Sequence, residues 1–279
     1  MGTGMRRLAR RLFGALGLEV RRKSVLPREA RGARTLRDVL DYAASIGFAP
    51  ATVIDVGAAV GAFTRTCRQV YPAASYVLVE PLEEFDAALA ALEGSAPGVR
   101  VHRAAAASHP GTVTFHVHRD LFGSSLLLEA EGGGVDGTPR TVKAVTLDSL
   151  ADADGLTGPF LLKLDVQGAE LEVLAGAQRT LAASELVVAE VSFYRAFEDG
   201  PQLEDVVRFM KERGFAAHDI FGFLYRPLDG ALAQADVVFV KENGLFRRSR
   251  AFATPAQRAE LDRRFAASRA ADAALGGDR

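Results

Sequence analysis

The sequence predicts an α/β fold built around a mainly parallel sheet, and three observations lead to this prediction. From Thr52 onward, short β-rich segments alternate with helical segments of about 10–15 residues, a pattern typical of a doubly wound sheet with helices on both faces. Hydrophobic residues make up 48% of the chain and charged residues 25%, as in globular proteins with a substantial core. Only RPLDGALAQ separates the last two β-rich segments, so we expect an antiparallel hairpin at one edge of the sheet.

The elements can be assigned in chain order from apolar spacing and turn residues. Thr35 to Gly47 has helical spacing and ends at glycine. The predicted strands that follow read TVIDVG, SYVLVEP, VRVHRAAAA, GTVTFHVHR, RTVKAVTLDSL, PFLLKLDV, ELVVAEVSF, FAAHDIF and ADVVFVKE. The helices between them read AFTRTCRQVY, EEFDAALAALE, AELEVLAGAQRTL and PQLEDVVRFMKERG. GTVTFHVHR and RTVKAVTLDSL alternate with period two, so we expect them to be antiparallel additions.

A polar helix is predicted near the C-terminus. Thr254 is its N-cap, Pro255 is the first helical residue, and Gln257 completes a capping box. The chain is therefore divided into a basic helical N-terminal extension (1–50), an α/β domain (51–243) and a polar helical C-terminal extension (244–279).

Charge is distributed unevenly along the chain. Residues 1–37 contain eleven Lys and Arg against two acids, whereas residues 38–241 contain 15 basic and 28 acidic residues. An acidic domain would repel phosphates, so we expect no nucleic-acid groove in it. The single cysteine, Cys67, excludes an internal disulfide and favours a reducing compartment, which predicts a cytoplasmic protein. The sequence does not fix the oligomeric state and is compatible with a homodimer.

The basic N-terminal segment resembles a signal peptide only superficially, because its apolar run is short and lacks an A-x-A site. We interpret MRRLARRLFGALGLEVRRK as a basic amphipathic helix. Three roles stay open for it: packing on its own domain or a partner, peripheral contact with an anionic membrane surface, or contact with nucleic acid.

The first segment with chemical character is VIDVGAAVGAF. A buried strand ends at Asp55, and Gly57 and Gly61 then flank a tight turn into a helix, where glycine lets the backbone approach a ligand closely. The nicotinamide fingerprint G-x-G-x-x-G is absent, and so is a Walker lysine. A dinucleotide and a nucleoside triphosphate are therefore disfavoured.

The second segment is VLVEP, in which Glu80 ends the next strand 23 residues after Gly57. A carboxylate in this position can accept both hydroxyls of a ribose. Without a cradle for pyrophosphate, the ligand is predicted to be a nucleoside derivative, and S-adenosylmethionine fits.

The third segment, LKLDVQGAE, places charged residues at a strand-to-helix junction. Asp165 ends a strand at the predicted switch point, near the expected position of a sulfonium or an acceptor hydroxyl. Gly168 permits the turn. Glu170 lies in the first helical turn, where simple capping is the alternative to a functional role. Lys163 either snorkels from an edge strand or pairs with Asp165 or Glu190 and orients them.

Taken together, the motifs D-V-G-A-x-V-G-x-F, V-E-P, S-S-L, T-L-D and L-K-L-D-V-Q-G-A-E-L-E-V-L-x-G-A resemble FkbM-type S-adenosylmethionine-dependent methyltransferases. The resemblance covers roughly 52–240. It implies a class I, Rossmann-like methyltransferase fold with a seven-stranded sheet. It also implies O-methylation of a small hydroxylated acceptor such as a sugar, a glycan precursor or a polyketide-like metabolite.

Carried over position by position, the resemblance implies a cofactor site of fourteen residues. They are Asp55, Gly57, Ala58, Gly61, Phe63, Glu80, Pro81, Ala104, Ala105, Ser124, Ser125, Asp165, Gly168 and Glu170. Two positions depart from the family: Ala59, where relatives often have Asn, and Gln167, where they often have Glu.

A base is needed because an acceptor hydroxyl must lose its proton, and a base typically contributes about 10²–10⁴-fold to the rate. Asp165 is the first candidate and Glu190 the second, with Lys163 orienting them. His116 and His118 share a strand face but are more typical of surface residues. We predict no metal site.

Two other functions stay open. A methyltransferase-like module could bind the cofactor or a partner without turnover, with its basic ends as the working surface. A nicotinamide oxidoreductase is the second alternative, and the absent G-x-G-x-x-G counts against it.

Overall fold

A computed structural model of the chain describes residues 34–95, 97–132 and 134–276. The chain divides into two units, 1–35 and 36–279, and the description below concerns the second. The predicted N-terminal amphipathic helix, with its predicted membrane contact, lies outside the described residues. The three-part division of the chain stays a prediction.

The strands and helices alternate as predicted. Numbered in chain order, the strands are β1 (Thr52–Val56), β2 (Ser75–Val79), β3 (Val99–His102), β4 (Ala105–Ala106), β5 (Gly111–Val117), β6 (Thr138–Val145), β7 (Phe160–Leu164), β8 (Ser184–Ser192), β9 (Phe215–Tyr225) and β10 (Leu232–Lys241). The helices are α1 (Leu36–Ser45), α2 (Ala62–Val70), α3 (Asp86–Ser95), α4 (Leu147–Asp154), α5 (Glu170–Ala175), α6 (Gln178–Ala182), α7 (Leu203–Glu212) and α8 (Pro255–Gly276). Among the described helices, none is long and apolar enough to cross a bilayer.

The main sheet has seven strands in the order β3-β2-β1-β7-β8-β10-β9. The first five are parallel, and β10 runs antiparallel to both of its neighbours. Strand order reverses between β1 and β7, which are paired in the centre of the sheet. The predicted α/β fold, the mostly parallel seven-stranded sheet and the edge hairpin are confirmed.

A smaller sheet of order β4-β6-β5 lies beside the main one. The strands β5 and β6 pair antiparallel as predicted, but with each other and β4 rather than as additions to the main sheet. The predicted single strand VRVHRAAAA is wrong. It turns after His102, where the amide of Ala104 donates to the His102 carbonyl, so its two halves join different sheets.

One predicted helix is also divided. AELEVLAGAQRTL forms α5 and α6 with a break at Gly176, whose carbonyl accepts the amide of Asp148 instead of continuing the helix. A Cβ atom at Gly176 would lie 2.3 Å from the carbonyl oxygen of Ala107, so the close approach requires glycine. The predicted capping box of α8 is present, with Thr254 and Gln257 exchanging backbone-to-side-chain hydrogen bonds.

The faces of the main sheet pack into two separate cores. Val53, Leu161 and Val188 lie in the core on the α1 and α2 side, whereas their neighbours Ile54 and Leu162 lie in the opposite core. Because side chains alternate along a strand, Asp55, Lys163, Glu190 and Asp236 also point to the α1 and α2 side. Since β10 is antiparallel, its first residues reach the same edge as the last residues of β7 and β8.

Candidate active site

Two cavities open at the carboxyl edge of the parallel strands. The first, here called the main cavity, has a volume of about 280 Å³ and contains Glu80, Gln167 and Glu190 in its lining. The second, the adjacent cavity, has a volume of about 300 Å³ and contains Lys163 and Asp236. The residues common to both linings are Gly57, Ala59, Phe122 and Asp165.

The turn after β1 contains two glycines at which the chain makes close contacts. Gly57 and Gly61 have positive φ angles of 71° and 76°. A Cβ atom on Gly57 would lie 1.8 Å from the carbonyl oxygen of Asp165, and one on Gly61 would lie 2.3 Å from Leu92. Both glycines are therefore required by contacts within the protein, and of the two only Gly57 lines a cavity.

The carboxylate of Glu80 is held at the end of β2 by two backbone donors. The amide of Ala59 donates to Oε2 at 2.8 Å, and the amide of Leu82 donates to Oε1 at 3.0 Å. Burial raises the pKa of Glu80 to about 7, although these two hydrogen bonds oppose the shift. Each oxygen keeps a second lone pair, which is the arrangement needed to accept the two hydroxyls of a ribose.

Ala59 adopts a left-handed conformation, with φ of 45°. Asparagine tolerates this region better than alanine, because its side chain can hydrogen-bond locally. The left-handed conformation is therefore compatible with the asparagine that the family resemblance implies at this position. In this chain the strain is held by the hydrogen bond from the Ala59 amide to Glu80.

Asp55 is fully buried and lines neither cavity. Its Oδ2 accepts hydrogen bonds from the backbone amide and the hydroxyl of Thr64, at 3.3 and 2.7 Å. Its Oδ1 has no hydrogen-bond partner within the described residues and lies 3.7 Å from the ammonium of Lys163. Burial raises the pKa of Asp55, against the opposing effect of Lys163. Asp55 supports the turn and Lys163, and its expected contact with the cofactor stays a prediction.

Lys163 is a buried residue of the central strand β7 rather than a snorkelling edge lysine. Its ammonium lies 3.0 Å from Asp165 Oδ2 and donates to the carbonyl of Gly57, also at 3.0 Å. Burial alone would lower its pKa, but the carboxylates of Asp165 and Asp55 outweigh that effect and raise it. The predicted pairing with Asp165 is present. Lys163 therefore ties the end of β7 to the turn after β1.

Asp165, Gln167 and Glu190 form one hydrogen-bonded group in the lining of the main cavity. The side-chain amide of Gln167 donates to Asp165 Oδ1 at 2.9 Å and to Glu190 Oε2 at 2.7 Å. Gln234 of β10 donates to the same Glu190 oxygen at 3.1 Å. Gln167 is in the left-handed region, with φ of 51°. A neutral side chain thus bridges two carboxylates.

Three carboxylates crowd the edge formed by β7, β8 and β10. Burial, with the charges of Asp165 and Asp236, raises the pKa of Glu190 to about 8. Burial and the charge of Asp165 raise the pKa of Asp236 to about 6. At neutral pH this half of the site therefore holds a carboxyl group whose pKa is close to the working pH, as a general base requires.

Glu170 and Gly168 belong to the turn that follows β7. The Glu170 carboxylate is buried and accepts the amides of Val166 and Gly168, at 3.4 and 3.2 Å. Burial raises its pKa to about 7. Gly168 has φ of 90° and lies against Phe197, 2.6 Å from an added Cβ. Neither residue lines the main or adjacent cavity, and these contacts agree with the capping alternative for Glu170. The expected places of both residues in the cofactor site stay predictions.

The two serine hydroxyls of the S-S-L motif, those of Ser124 and Ser125, form hydrogen bonds with the protein backbone. Ser125 is fully buried and donates to the carbonyl of Gln167 at 2.6 Å, and Ser124 accepts the amide of His118 at 2.9 Å. Ser125 thereby fastens the loop after β5 to the turn after β7. Ser124 lines the main cavity, whereas Ser125 does not.

The remaining predicted residues are divided between the two cavities. Pro81 and Ala105 line the main cavity, Ala58 and Phe63 line the adjacent one, and Ala104 is buried and lines neither.

Sequence reasoning missed part of the site. Asp236 and Gln234 were not predicted because they lie near the start of a strand, whereas the motifs that indicated the site lie at strand ends. The predicted antiparallel direction of β10 could have indicated them, because it puts the first, polar residues of β10 at the carboxyl edge of the parallel strands. The apolar wall of the main cavity was also missed and consists of Leu82, Phe85, Phe115, Leu121, Phe122 and Leu126. Among the described residues, no three His, Cys, Asp or Glu side chains are grouped so that they could hold a metal.

Comparisons with known proteins agree with this architecture. Residues 55–217 match the methyltransferase FkbM domain family. The 2-O-methyltransferase NoeI of Sinorhizobium fredii is 28% identical over 159 residues, covering 52% of this chain and 65% of NoeI, which is less than two thirds of that relative.

Solved structures with a similar fold include two small-molecule methyltransferases. Magnesium protoporphyrin IX methyltransferase from Synechocystis PCC 6803 is 13% identical, covering 86% of this chain and 92% of its own, with a TM-score of 0.42. The 1,6-didemethyltoxoflavin-N1-methyltransferase of Burkholderia thailandensis is 14% identical, covering 75% and 77%, also with a TM-score of 0.42. At these scores, the fold assignment depends on strand order rather than on superposition.

Proposed function

Because the chain belongs to the FkbM methyltransferase family and uses S-adenosylmethionine, we propose that it transfers a methyl group to a hydroxyl of a small acceptor, a sugar or glycan precursor. The observation that carries this proposal is Glu190, a carboxyl group with a pKa of about 8 in the lining of the same cavity as Glu80. Methylation of an alcohol needs a base at the transfer point, and this residue supplies one.

The residues of the main cavity suit the nucleoside part of the cofactor. Glu80 would accept the ribose hydroxyls, and Leu82, Phe85 and Phe115 offer an apolar wall to the adenine ring. Neighbouring backbone donors already hold the Glu80 carboxylate in place, so little ordering is required when a ligand binds. When bound, S-adenosylmethionine supplies a methyl group activated by its sulfonium.

Of the two candidate bases, the geometry favours Glu190 over Asp165. Both oxygens of Asp165 are engaged, one by Lys163 and the other by Gln167. Neither oxygen can take the proton of an acceptor hydroxyl without giving up a bond that it already makes. Glu190 accepts its two hydrogen bonds on Oε2, which leaves Oε1 for the acceptor hydroxyl. We assign Glu190 as the base and Asp165 as the group that orients the acceptor and faces the positive sulfonium.

A hydroxylated acceptor is supported by the relative NoeI, whose name describes a 2-O-methyltransferase. It is also supported by the lining itself, since Asp165, Gln167 and Glu190 offer several acceptors and one amide donor within a small volume. Such groups suit a ligand rich in hydroxyls.

The experiment is a transfer assay with S-adenosylmethionine that carries a trideuterated methyl group. A panel of nucleotide sugars, free sugars and hydroxylated metabolites is incubated with the protein, and products are read by mass spectrometry. We expect one acceptor class to gain the labelled methyl on oxygen, located by fragmentation. A label found on nitrogen or carbon would refute the O-methyltransferase assignment.

Two variants make this assay specific. Glu190→Gln should remove most of the product, whereas Glu185→Gln, on the same strand but outside both cavities, should not. Cofactor binding by the wild-type protein without transfer to any acceptor of the panel would favour the non-catalytic alternative.

A further inference from the structure

The adjacent cavity contains a carboxylate for which the proposed reaction has no use. Its walls are mainly apolar and include Phe63, Val188 and Phe221, while Lys163, Asp165 and Asp236 supply its charged groups. Asp165 and Lys163 are already bound to each other. Asp236 is thus the side chain that needs an explanation.

The neighbouring strand makes room for Asp236. The register of β9 against β10 shifts here: Gln234 pairs with Leu224 and Asp236 with Phe221, so β9 carries one extra residue at this point. That bulge includes Gly222, whose φ is 65° and whose added Cβ would lie 2.3 Å from Asp236 Oδ2. Bulges often re-aim a side chain next to a functional site. Here the carboxylate occupies the space that a side chain at 222 would take.

The local charges leave Asp236 with only a share of one cation, because Lys163 lowers the pKa of Asp236 but is bound to other groups. The ammonium of Lys163 is engaged by Asp165 at 3.0 Å, by the Gly57 carbonyl at 3.0 Å and by Asp55 at 3.7 Å. Asp236 makes no hydrogen bond or ion pair with any residue that the structure describes. It is partly buried and lies near the negative Asp165. A partly buried carboxylate with no hydrogen bond and only a shared cation favours a ligand that brings a positive charge.

We propose that the adjacent cavity binds a primary ammonium group through Asp236. Two molecules of the proposed reaction could bring this group, so the inference depends on the proposed function. One is the cofactor, whose amino-acid end would reach the adjacent cavity past Gly57, Ala59 and Asp165, the boundary that the two cavities share. The other is an acceptor that carries an amino group.

The test is calorimetric binding to Asp236→Asn, with two ligands that differ only in the amino-acid end. S-adenosylhomocysteine has that end, and 5′-methylthioadenosine lacks it. If the cofactor brings the ammonium, the variant should bind S-adenosylhomocysteine about 10- to 100-fold more weakly and 5′-methylthioadenosine as the wild type does. Asp229→Asn, in the hairpin loop and paired with Arg226, is the matched control and should bind both ligands normally.

A second ligand pair tests the other source. In the presence of S-adenosylhomocysteine, D-glucosamine and D-glucose are titrated into the wild type and the variant. If the acceptor brings the ammonium, Asp236→Asn should keep its affinity for S-adenosylhomocysteine and lose only the preference for glucosamine over glucose.

A second variant separates this role from a folding defect. Gly222→Ala keeps the charge but displaces the carboxylate, so it should reproduce the selective loss of affinity. Thermal unfolding of each variant with and without 5′-methylthioadenosine reports whether the main cavity is intact.

If Asp236→Asn binds S-adenosylhomocysteine with unchanged affinity and shows the wild-type response to glucosamine, the proposal is wrong. Equal weakening of S-adenosylhomocysteine and 5′-methylthioadenosine would also overturn it, because the effect would then not depend on the ammonium. Both results leave the proposed function standing. That function fails separately, if the wild-type protein binds no S-adenosylhomocysteine at all.

Discussion

The two halves of the site treat their carboxylates differently. At the ends of β1 and β2, Glu80 accepts two backbone amides and Asp55 accepts a backbone amide and a hydroxyl from Thr64. At the ends of β7 and β8 and the start of β10, by contrast, Asp165, Glu190 and Asp236 share one cation, Lys163. In the first half, here called the rigid half, each carboxylate accepts two hydrogen bonds from the protein, although Asp55 Oδ1 accepts none. The second, here called the crowded half, contains more negative charge than Lys163 balances.

This difference indicates that the two halves of the site have different functions. The rigid half holds a ligand in place, as a nucleoside site should. The crowded half, in which three carboxylates share one cation, responds to a cationic or hydroxylated ligand and to pH, as a transfer site should. Five substitutions test that difference.

The largest effect is expected for Glu190→Gln, which removes the assigned base. We expect kcat to fall by about 10²–10⁴-fold while the Kd of S-adenosylhomocysteine changes less than about threefold. Because the base works only when deprotonated, the wild-type kcat should rise with pH through about 8, and the variant should lack that rise. Glu185→Gln is the control. A full pH response in Glu190→Gln would show that another group is the base.

Gly57→Ala should have the next largest effect, which is a decrease in the stability of the fold. The added Cβ would lie 1.8 Å from Asp165 and the φ of 71° adds strain, so we expect a loss of about 3 kcal/mol in unfolding free energy by urea titration. Gly47→Ala is matched for positive φ but has nothing within 4 Å of its added Cβ. It should cost only about 1 kcal/mol. Equal losses would mean that the junction of β1 and β7 tolerates movement.

Glu80→Gln tests the rigid half directly. Loss of the charged acceptor should weaken both S-adenosylhomocysteine and 5′-methylthioadenosine by about 10- to 100-fold in calorimetry, because both contain the ribose. This pattern differs from the one expected for Asp236→Asn. Glu83→Gln, exposed on the same connection, should bind normally. Unchanged binding of 5′-methylthioadenosine to Glu80→Gln would remove Glu80 from the nucleoside site.

Gln167→Glu tests the crowded half without deleting a group. A third acid between Asp165 and Glu190 should raise the pKa of Glu190 further, so the midpoint of the kcat profile should move from about 8 upward by about one pH unit. Gln178→Glu, on α6 and outside both cavities, should leave the midpoint in place. A downward shift would contradict the role of Gln167 as a neutral bridge.

The smallest effect concerns Glu170, whose folded-state pKa of about 7 lies above its ordinary value of 4.5. A raised pKa favours the protonated carboxyl in the folded state, so its contribution to stability is present below about 4.5 and is lost as pH rises through 7. Glu170→Gln keeps an acceptor for the turn and has no charge. We expect it to be about 1 kcal/mol more stable than the wild type at pH 8 and nearly equal at pH 4.5, by urea unfolding.

Glu204→Gln, an exposed residue at the start of α7, should show no such pH-dependent difference. A less stable Glu170→Gln at pH 8 would mean that the charged carboxylate is needed by the turn.

Sequence patterns predicted the fold and the strand ends of the rigid half because both depend on local periodicity. Asp55, Glu80 and Asp165 each follow an apolar run, and parallel strands bring such ends to one edge. The crowded half was predicted only in part. Asp236 joins the site because β10 pairs with β8 in a register that puts it opposite Glu190. This pairing joins residues far apart in the sequence, so residue spacing cannot predict it.

Side-chain direction was the other part that the sequence could not supply. The side chains of the motif residues Ser125 and Glu170 are hydrogen-bonded to nearby backbone groups: Ser125 donates to the carbonyl of Gln167, and Glu170 accepts the amide of Val166. Position 61 requires glycine because of its contact with Leu92, a residue 31 positions away. In each case the tertiary packing determines which group the residue contacts, whereas the motif predicts only the residue type at that position.

The central claim is that the rigid half binds the nucleoside and the crowded half faces the transferred methyl. A crystal structure with S-adenosylhomocysteine tests it most directly. The account predicts both ribose hydroxyls within hydrogen-bond distance of Glu80, and the thioether sulfur directed toward Asp165 and Glu190. A nucleoside seated outside the main cavity, or a sulfur facing away from those two carboxylates, would contradict it.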